Sequence, residues 1–371
     1  MKILICGDYC PQNRVAESFE HDDYSSVLSE ARSLTAKADY SIVNFECPIT
    51  RGGENPIQKV GPNLQCSEKG MEAIKWSGFD CVTLANNHFY DYGDEGVACT
   101  LEVCRRLGID TVGGSINIFE ASKVLYKQLE SKYLAIINCC EHEFSIATEK
   151  TGGANPLNPI QQYYAIKEAK QKADYVLVIM HGGHEHWQLP SERMVETYRF
   201  FVDSGADAVI NHHQHCYSGY EVYHGKPIFY GLGNFCFDKT SIHNGKWTEG
   251  YAVTLDFSDH ELSFEIQPYR QCSKKPRVEL LEPSSYDTRL MELNAIIKDP
   301  QILARELNKY YDLNTGIHSN IFEPIYNRYY LAAKEHGWVP SLISKRRKIN
   351  AANYVLCESH RDVLIHWLLA L

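Results

Sequence analysis

Tyr175-Val-Leu-Val-Ile-Met180 runs into His181-Gly-Gly-His184-Glu185-His186, and Ala206-Asp-Ala-Val-Ile210 runs into Asn211-His212-His213-Gln214-His215. Each is a β-like apolar run that stops on a histidine cluster, and an amphipathic helix between Pro190 and Gly205 separates the two. Together they hold six of the 16 histidines. Neutral imidazole is a common ligand of divalent transition metals. Open α/β sheets present their ligand sites at the C-terminal ends of strands. The stretch therefore predicts a metal centre assembled from several strand ends.

The sequence upstream alternates in the same way. Residues 3–7 form a first strand ending at Gly7-Asp8, and a helix over 25–38 leads to a second strand, Tyr40-Ser-Ile-Val43, which runs into Asn44-Phe45-Glu46. The Gly/Pro/Asn-rich segment 51–65 is a loop by composition. A helix capped by Ser67 and closed by Gly78 follows, then a strand over 79–84 that delivers Asn86-Asn87-His88-Phe89-Tyr90-Asp91. A helix from Asp94 to Leu107 and a short strand over 109–112 come next. From residue 123 hairpins enter: 123–130 with 133–140, then 220–230, then 251–257 with 261–267 around Asp259-His260. α/β units mixed with antiparallel meanders predict two packed sheets flanked by helices. Beyond residue 271 helical periodicity takes over, at 286–297, 300–311, 320–336 and 351–369. The predicted organisation is an α/β domain over 1–271 and a helical C-terminal region over 272–371.

Composition narrows the function. With 371 residues and 44% hydrophobic content, the chain has ample core for one large domain and an appendage. Its net charge of −10 and the lack of a long Lys/Arg stripe argue against a nucleic-acid partner. The one basic cluster, Lys345-Arg-Arg-Lys348, reads as a solvated surface patch. Met1 to Asp8 lacks the apolar region and cleavage site of a signal peptide, and no apolar run approaches the ~20 residues of a membrane helix, so no membrane anchor is expected. The 13 cysteines lie without C-x-x-C spacing and read as reduced, buried thiols of a cytoplasmic protein.

Five strand ends deliver ligand-type residues: Asp8; Asn44 with Glu46; Asn87-His88 with Asp91; the His181 cluster with Glu185; and His213 with His215. One such residue at a strand end is usually a cap, but five in one chain point to a site. Mixed carboxylate, imidazole and amide ligands suit one or two divalent ions of the Mn²⁺, Fe²⁺ or Zn²⁺ type. A carboxylate can bridge a metal pair that activates water for hydrolysis, and Glu46 is the candidate bridge. No H-E-x-x-H, Walker A or G-x-S-x-G motif is present. Gly231-Leu-Gly233 lacks the third glycine of a dinucleotide fingerprint, and Cys216 has no evident base partner.

These motifs resemble, in order, those of the CapA family of poly-γ-glutamate capsule biosynthesis proteins, whose domain is similar to the calcineurin-like metallophosphatases. The matching pieces are Gly7-Asp8, Asn44-Phe-Glu46-Cys-Pro48, Leu84-Ala-Asn-Asn87-His88-Phe-Tyr-Asp91-Tyr-Gly93, His181-Gly-Gly-His-Glu185, His213-Gln-His215 and Gly233-Asn-Phe-Cys-Phe-Asp238. The resemblance implies a four-layer α/β-β/α metallophosphatase-like sandwich with Asp8, Glu46, Asn87, His181, His213 and His215 as metal ligands. It makes His88, Asp91 and Glu185 the candidate catalytic residues, with the role of Glu185 open. His184, His186 and His212 read as supporting or surface residues. Where the phosphatases carry Asp-x-His, this chain has Asp8-Tyr9-Cys10. Either Glu185 or a water takes the place of that imidazole, or only one tight metal site exists.

The expected function is a metal-dependent hydrolase of capsule, poly-γ-glutamate or cell-envelope polymer metabolism that uses metal-activated water, with an anionic polymer or envelope precursor as substrate. The alternative is a non-catalytic, metal-containing accessory protein that binds an anionic polymer or a biosynthetic partner.

Overall fold

Strand Lys2–Cys10 is the axis of the first sheet, buried from Ile3 onward. Its first half pairs antiparallel with Glu249–Phe257 and its second half parallel with Asn234–Phe237, while Tyr40–Phe45 runs parallel along its other side. The change of neighbour coincides with a register shift between Cys6 and Asp8. There Gly7 lies so close to the Gly233 carbonyl that a Cβ would sit 1.8 Å from its oxygen. The strand continues past its expected end at Gly7-Asp8, so Asp8 lies inside the ladder and its position is fixed by backbone pairing on both sides.

In this computed structural model, residues 1–242, 244–257, 262–356 and 368 are described. The expected turn at Asp259-His260 and most of the last stretch of the helix expected over 351–369 lie outside them. The first sheet has the order Val278–Leu280, Leu262–Gln271, Glu249–Phe257, Lys2–Cys10, Tyr40–Phe45, Cys81–Thr83, Asp110–Val112, with Asn234–Phe237 joining Lys2–Cys10. The second has the order Tyr220–Tyr223, Lys226–Phe229, Ala208–His212, Tyr175–His181, Lys132–Cys140, Leu125–Leu129. A parallel core is extended by antiparallel strands at one edge of the first sheet and at both edges of the second, which is the mixture the sequence predicts.

The sheets face each other. Ring pairs cross between them, Tyr175–Phe257 at 4.5 Å and Phe229–Phe264 at 5.1 Å. Asn138 bridges them too: its Oδ1 accepts from Ala85 N at 2.8 Å and its Nδ2 donates to Ile179 O at 3.0 Å. The outer face of the first sheet packs on helices Asn13–Glu20, Tyr24–Thr35, Glu68–Trp76 and Gly93–Leu107 through Val15, Phe19, Leu28, Ile74 and Val103. Helices Pro159–Lys172 and Glu192–Ser204 cover the second. Burying each such large side chain stabilises by about 1.5–3 kcal/mol. Helix, sheet, sheet, helix is the expected four-layer order.

The first compact unit runs from Met1 to Leu303, past the boundary expected at residue 271. Helix Asp287–Lys298 buries Leu290, Leu293 and Ile297, and its Asn294 Oδ1 accepts from Tyr220 N at 2.7 Å, satisfying an edge-strand donor. The second unit, Ala304–Leu371, contains a 3₁₀ turn at Asn320–Phe322 and helices Arg328–Glu335 and Lys345–Leu356. Helicity expected throughout 320–336 is broken there by Pro324, and Asn327 recaps the chain by accepting from Tyr329 N at 2.9 Å.

Arg14 fastens three segments of the first unit. Its guanidinium binds the fully buried Asp238 carboxylate through Nε at 2.9 Å and Nη2 at 2.6 Å, and also donates to the carbonyls of Cys272, Ser273 and Lys274. Arg14→Ala strands that carboxylate. We expect a loss of about 3 kcal/mol, measured as a lower urea midpoint with unchanged m-value.

Candidate metal centre

Glu46 follows strand Tyr40–Phe45 and is drawn inward by its N–H, which donates to Tyr9 O at 2.9 Å. Asn86 Nδ2 donates to Phe45 O at 2.9 Å, and its Oδ1 accepts from His88 N at 3.1 Å, so the turn carrying Asn87 and His88 is tied to the neighbouring strand. His181 is the last residue of its strand. His213 and His215 lie beyond Ala208–His212 with φ of 92° and 53°, left-handed conformations that non-glycine residues hold only under constraint. One constraint is visible: His213 N donates to Asp8 Oδ2 at 3.2 Å.

These segments bring two overlapping ligand groups together, Glu46 with His181 and His213, and Asp8 with Glu46 and His215, the donor atoms of each lying within 4.8 Å of one another. Glu46 belongs to both. Its Oε1 lies 3.7 Å from His181 Nε2 and 3.6 Å from His215 Nε2. Neither Glu46 oxygen has a hydrogen-bond partner, although the residue is fully buried. Burial, and then the Asp8 charge, push its carboxyl well above the usual carboxylate range. A buried carboxylate without a donor is costly unless a cation sits beside it. The donor set, two carboxylates and three imidazoles, fits a divalent ion. Asn87 adds an amide oxygen 3.0 Å from His181 Nε2.

Neighbouring side chains set which ring nitrogens face the cage. His215 Nδ1 lies 2.9 Å from Asn234 Oδ1, whose own amide nitrogen donates to the carbonyls of His215 and Trp247. Nδ1 therefore carries the proton and Nε2 is free for a metal. Burial pushes His215 down to about 4 and His181 well below the usual histidine range, so both rings are neutral at pH 7. Burial also tends to raise the Asp8 carboxyl, but its bond to His212 and the surrounding imidazoles hold it below the ordinary range. His213 directs Nδ1 at His181 Nε2, 3.1 Å away, and its Nε2 lies 3.8 Å from Glu143 Oε1. Glu143 also accepts from Asn87 Nδ2 at 3.3 Å.

The three candidate catalytic residues are placed differently. His88 Nδ1 lies 2.6 Å from Asp91 Oδ2, which leaves Nε2 as the ring nitrogen available for chemistry. Asp91 is fully buried and holds the loop 51–65 as well: it accepts from Leu64 N at 2.6 Å, its carbonyl accepts from Ile57 N, and it pairs with Lys59. Asp91 thus orients His88. Glu185 is half-exposed, 3.9 Å from His186. Burial raises its carboxyl, but His215, His213 and His186 pull it below the usual range.

Sequence analysis missed Lys59, Glu143 and Asn234 as site residues. Lys59 lies in the loop 51–65 with its side chain 3% exposed, its Nζ 3.1 Å from His88 Nδ1. Nothing in its spacing marks it. Asn234 stands in a quoted motif, and its role emerges only from the sheet pairing that sets it opposite Asp8. His212, read as a supporting or surface residue, is buried with Nδ1 3.5 Å from Asp8 Oδ1, so it backs that ligand. Cys10 packs in the core of the first sheet, its thiol raised by burial, and neither it nor Glu185 joins a ligand group among the described residues.

Comparison with known proteins gives one family match, Bacterial capsule synthesis protein PGA_cap, over residues 2–239. The chain is 30% identical over 247 residues to a capsule biosynthesis protein CapA of Bacillus anthracis, covering 64% of this chain and 60% of that one. It is also 30% identical over 236 residues to a PGA biosynthesis protein CapA of Bacillus subtilis, covering 63% and 62%. It thus spans about 60% of the length of these relatives. A crystal structure described as a novel phosphatase of Mycoplasma pneumoniae aligns with a TM-score of 0.45 at 15% identity, over 72% of this chain and 92% of that one.

The protonation pattern has a calorimetric signature. Burial raises Glu46 and lowers His181 and His215, so proton release on metal loading is expected from Glu46 rather than from those two rings. The measured enthalpy should depend on the buffer's ionisation enthalpy, and Glu46→Gln should remove that dependence. Asn234→Ala, which frees the His215 ring, should weaken metal binding by about 10–100-fold. His215 binds a proton less readily folded than unfolded, so the metal-free protein should lose stability as pH falls from 6.5 toward 4.

Proposed function

The chain belongs to the bacterial capsule synthesis protein family, and from that membership and the cage around Glu46 we propose that it is a metal-dependent hydrolase of capsule, poly-γ-glutamate or cell-envelope polymer metabolism. The observation that carries the reading is the Glu46 carboxylate, buried, without a hydrogen-bond donor, and common to both ligand groups. Asp8, Glu46, Asn87, His181, His213 and His215 would hold one or two ions of the Mn²⁺, Fe²⁺ or Zn²⁺ type. The chemistry such an ion supplies is acidification of water and polarisation of a phosphoryl or carbonyl oxygen.

The protein's own residues do the rest. Asp91 fixes the His88 ring through Nδ1, so Nε2 can hand a proton to a departing oxygen or nitrogen. Lys59 balances the Asp91 charge and fastens the loop 51–65 beside that ring. Glu185, half-exposed with its carboxyl below the usual range, would accept a proton from incoming water or orient a polar substrate group. All twelve described cysteines are buried and unpaired, which supports a reducing, cytoplasmic setting.

A specific observation favours the accessory reading as well. The thiol at the position where phosphatases carry an imidazole is buried in the core, leaving the Asp8 group one imidazole short. In that reading the same cage holds an ion that binds an anionic polymer without turnover.

Purified protein loaded with Mn²⁺ should hydrolyse at least one member of a panel of phosphoesters and peptide or γ-glutamyl amides. Glu46→Ala should abolish turnover together with metal content. His88→Ala should cut turnover by about 10²–10⁴-fold with metal content retained. Full occupancy with no turnover across the panel, but retention of polyglutamate, would establish the accessory role instead.

A further inference from the structure

Within the second unit, the segment 323–342 buries a charged group and leaves large apolar groups exposed. The Glu323 side chain is fully buried and ion-paired with Lys334 at 3.4 Å, accepting also from Tyr330 OH and Leu342 N, both at 3.1 Å. Tyr330 OH lies 3.1 Å from Pro340 O as well, so 323–342 is clasped around a carboxylate. The rings that would ordinarily form a core point the other way. Tyr326, Tyr329 and Trp338 are 75%, 71% and 78% exposed, and Leu342 and Ile349 are also exposed. Helix Arg328–Glu335 buries no residue at all. A helix of that length gains its stability from a covered apolar face, and here Leu331 and Ala333 are only partly covered.

Charge separates in the same place. Residues 304–371 carry nine Lys/Arg against six Asp/Glu, which leaves the preceding 303 residues at −13 of the chain's −10 total. Between 324 and 356 there are six basic side chains and one acidic, and Lys345, Arg346, Arg347 and Lys348 open helix Lys345–Leu356, with the exposed Ile349 next in line. Protein interfaces are depleted in lysine. Tryptophan and tyrosine beside clustered Lys/Arg on a short amphipathic segment is instead the composition of the water–bilayer boundary, where rings sit at headgroup depth and basic groups meet anionic lipid. No helix among the described residues is long and apolar enough to cross a membrane.

We propose that residues 324–356 form a docking surface for an anionic membrane face, with Tyr326, Tyr329 and Trp338 entering the headgroup layer and Lys345–Lys348 contacting lipid phosphates. Docking would lie flat on the surface, reversible and sensitive to salt. It replaces the solvated-patch reading of the basic cluster and is independent of whether the metal cage is catalytic.

The test is flotation of the full-length chain with vesicles of phosphatidylglycerol and phosphatidylcholine, compared with phosphatidylcholine alone, at low and high salt. The chain should float with the anionic vesicles and remain in solution with the neutral ones. Replacing Lys345, Arg346, Arg347 and Lys348 together by Gln should weaken partitioning by several hundredfold, at about fivefold per side chain. Trp338→Ser should weaken it by at least about tenfold, with circular dichroism and Tm unchanged in both variants. Vesicle-induced blue-shifted fluorescence that disappears in Trp338→Phe would place that ring in the lipid. Equal partitioning into both vesicle types overturns the proposal, as does no partitioning into either. Salt-sensitive self-association without vesicle binding overturns it in favour of a second copy, and capture of soluble polyglutamate without vesicle binding overturns it in favour of a polymer.

Discussion

A carboxylate that folding buries without a donor is the constraint on which the first unit turns. Glu46 sits at the meeting point of both sheets, and every element around it contributes to making that position tolerable. Asp8 arrives from the central strand, the histidines from two strands of the opposite sheet, and Asn87 from the turn after Cys81–Thr83. An apolar residue in the same place would pack with less cost. The sheets therefore meet at a point that is stable only when a cation or a proton is supplied. The pushed-up carboxyl of Glu46 is the proton solution, and the cage is the cation solution.

Much of this was legible in the sequence because parallel strands deliver their C-terminal residues to one edge. His181 directly follows the uninterrupted apolar run 175–180, and His213 and His215 lie just beyond the shorter run Ala208-Val-Ile210. Asp8, Glu46 and Asn87 follow shorter and more mixed runs, so their strand-end position made them candidates and the family resemblance supplied their expected role as ligands. Two packed sheets flanked by helices followed from the switch between α/β alternation and hairpins, and the four-layer order from the family resemblance. What the pattern did not carry was anything dependent on contact between distant segments. Asn234 fixes a histidine 19 positions away, and the pairing of its strand with Lys2–Cys10 is not written in local periodicity. Lys59 lies in a stretch of Gly, Pro and Asn, where composition indicates a loop and says nothing about which side chain turns inward. The helix expected at 286–297 is present, but the boundary at 271 did not anticipate that it packs within the first unit, because an amphipathic helix has the same period whether it packs on a sheet or stands apart.

The second unit shows the opposite limit. Its basic run was visible at once, and with only the sequence in hand a solvated patch was the economical explanation. The exposed rings changed the weight of that run, since charge alone is ordinary surface, whereas charge beside uncovered tryptophan and tyrosine is not. Glu323 explains why the segment does not simply collapse on its own rings. A buried ion pair with two further hydrogen bonds holds the backbone in the arrangement that turns them outward.

Backbone conformation links the cage to its rigidity. His213 and His215 both hold left-handed φ, at a cost on the order of 1–3 kcal/mol each. That cost is met by bonds that exist before any ion arrives: His213 N to Asp8, His215 Nδ1 to Asn234, and His186 N to Gln214 O. Asp8 is at once a candidate ligand and the acceptor that strains the histidine loop into place. A substitution there would release the loop as well as remove a donor, and its effect on metal binding should exceed that of any single histidine. The same coupling means that the ligand spacing is set by the β-ladder of Lys2–Cys10, so the cage inherits its geometry from a strand buried from Ile3 onward.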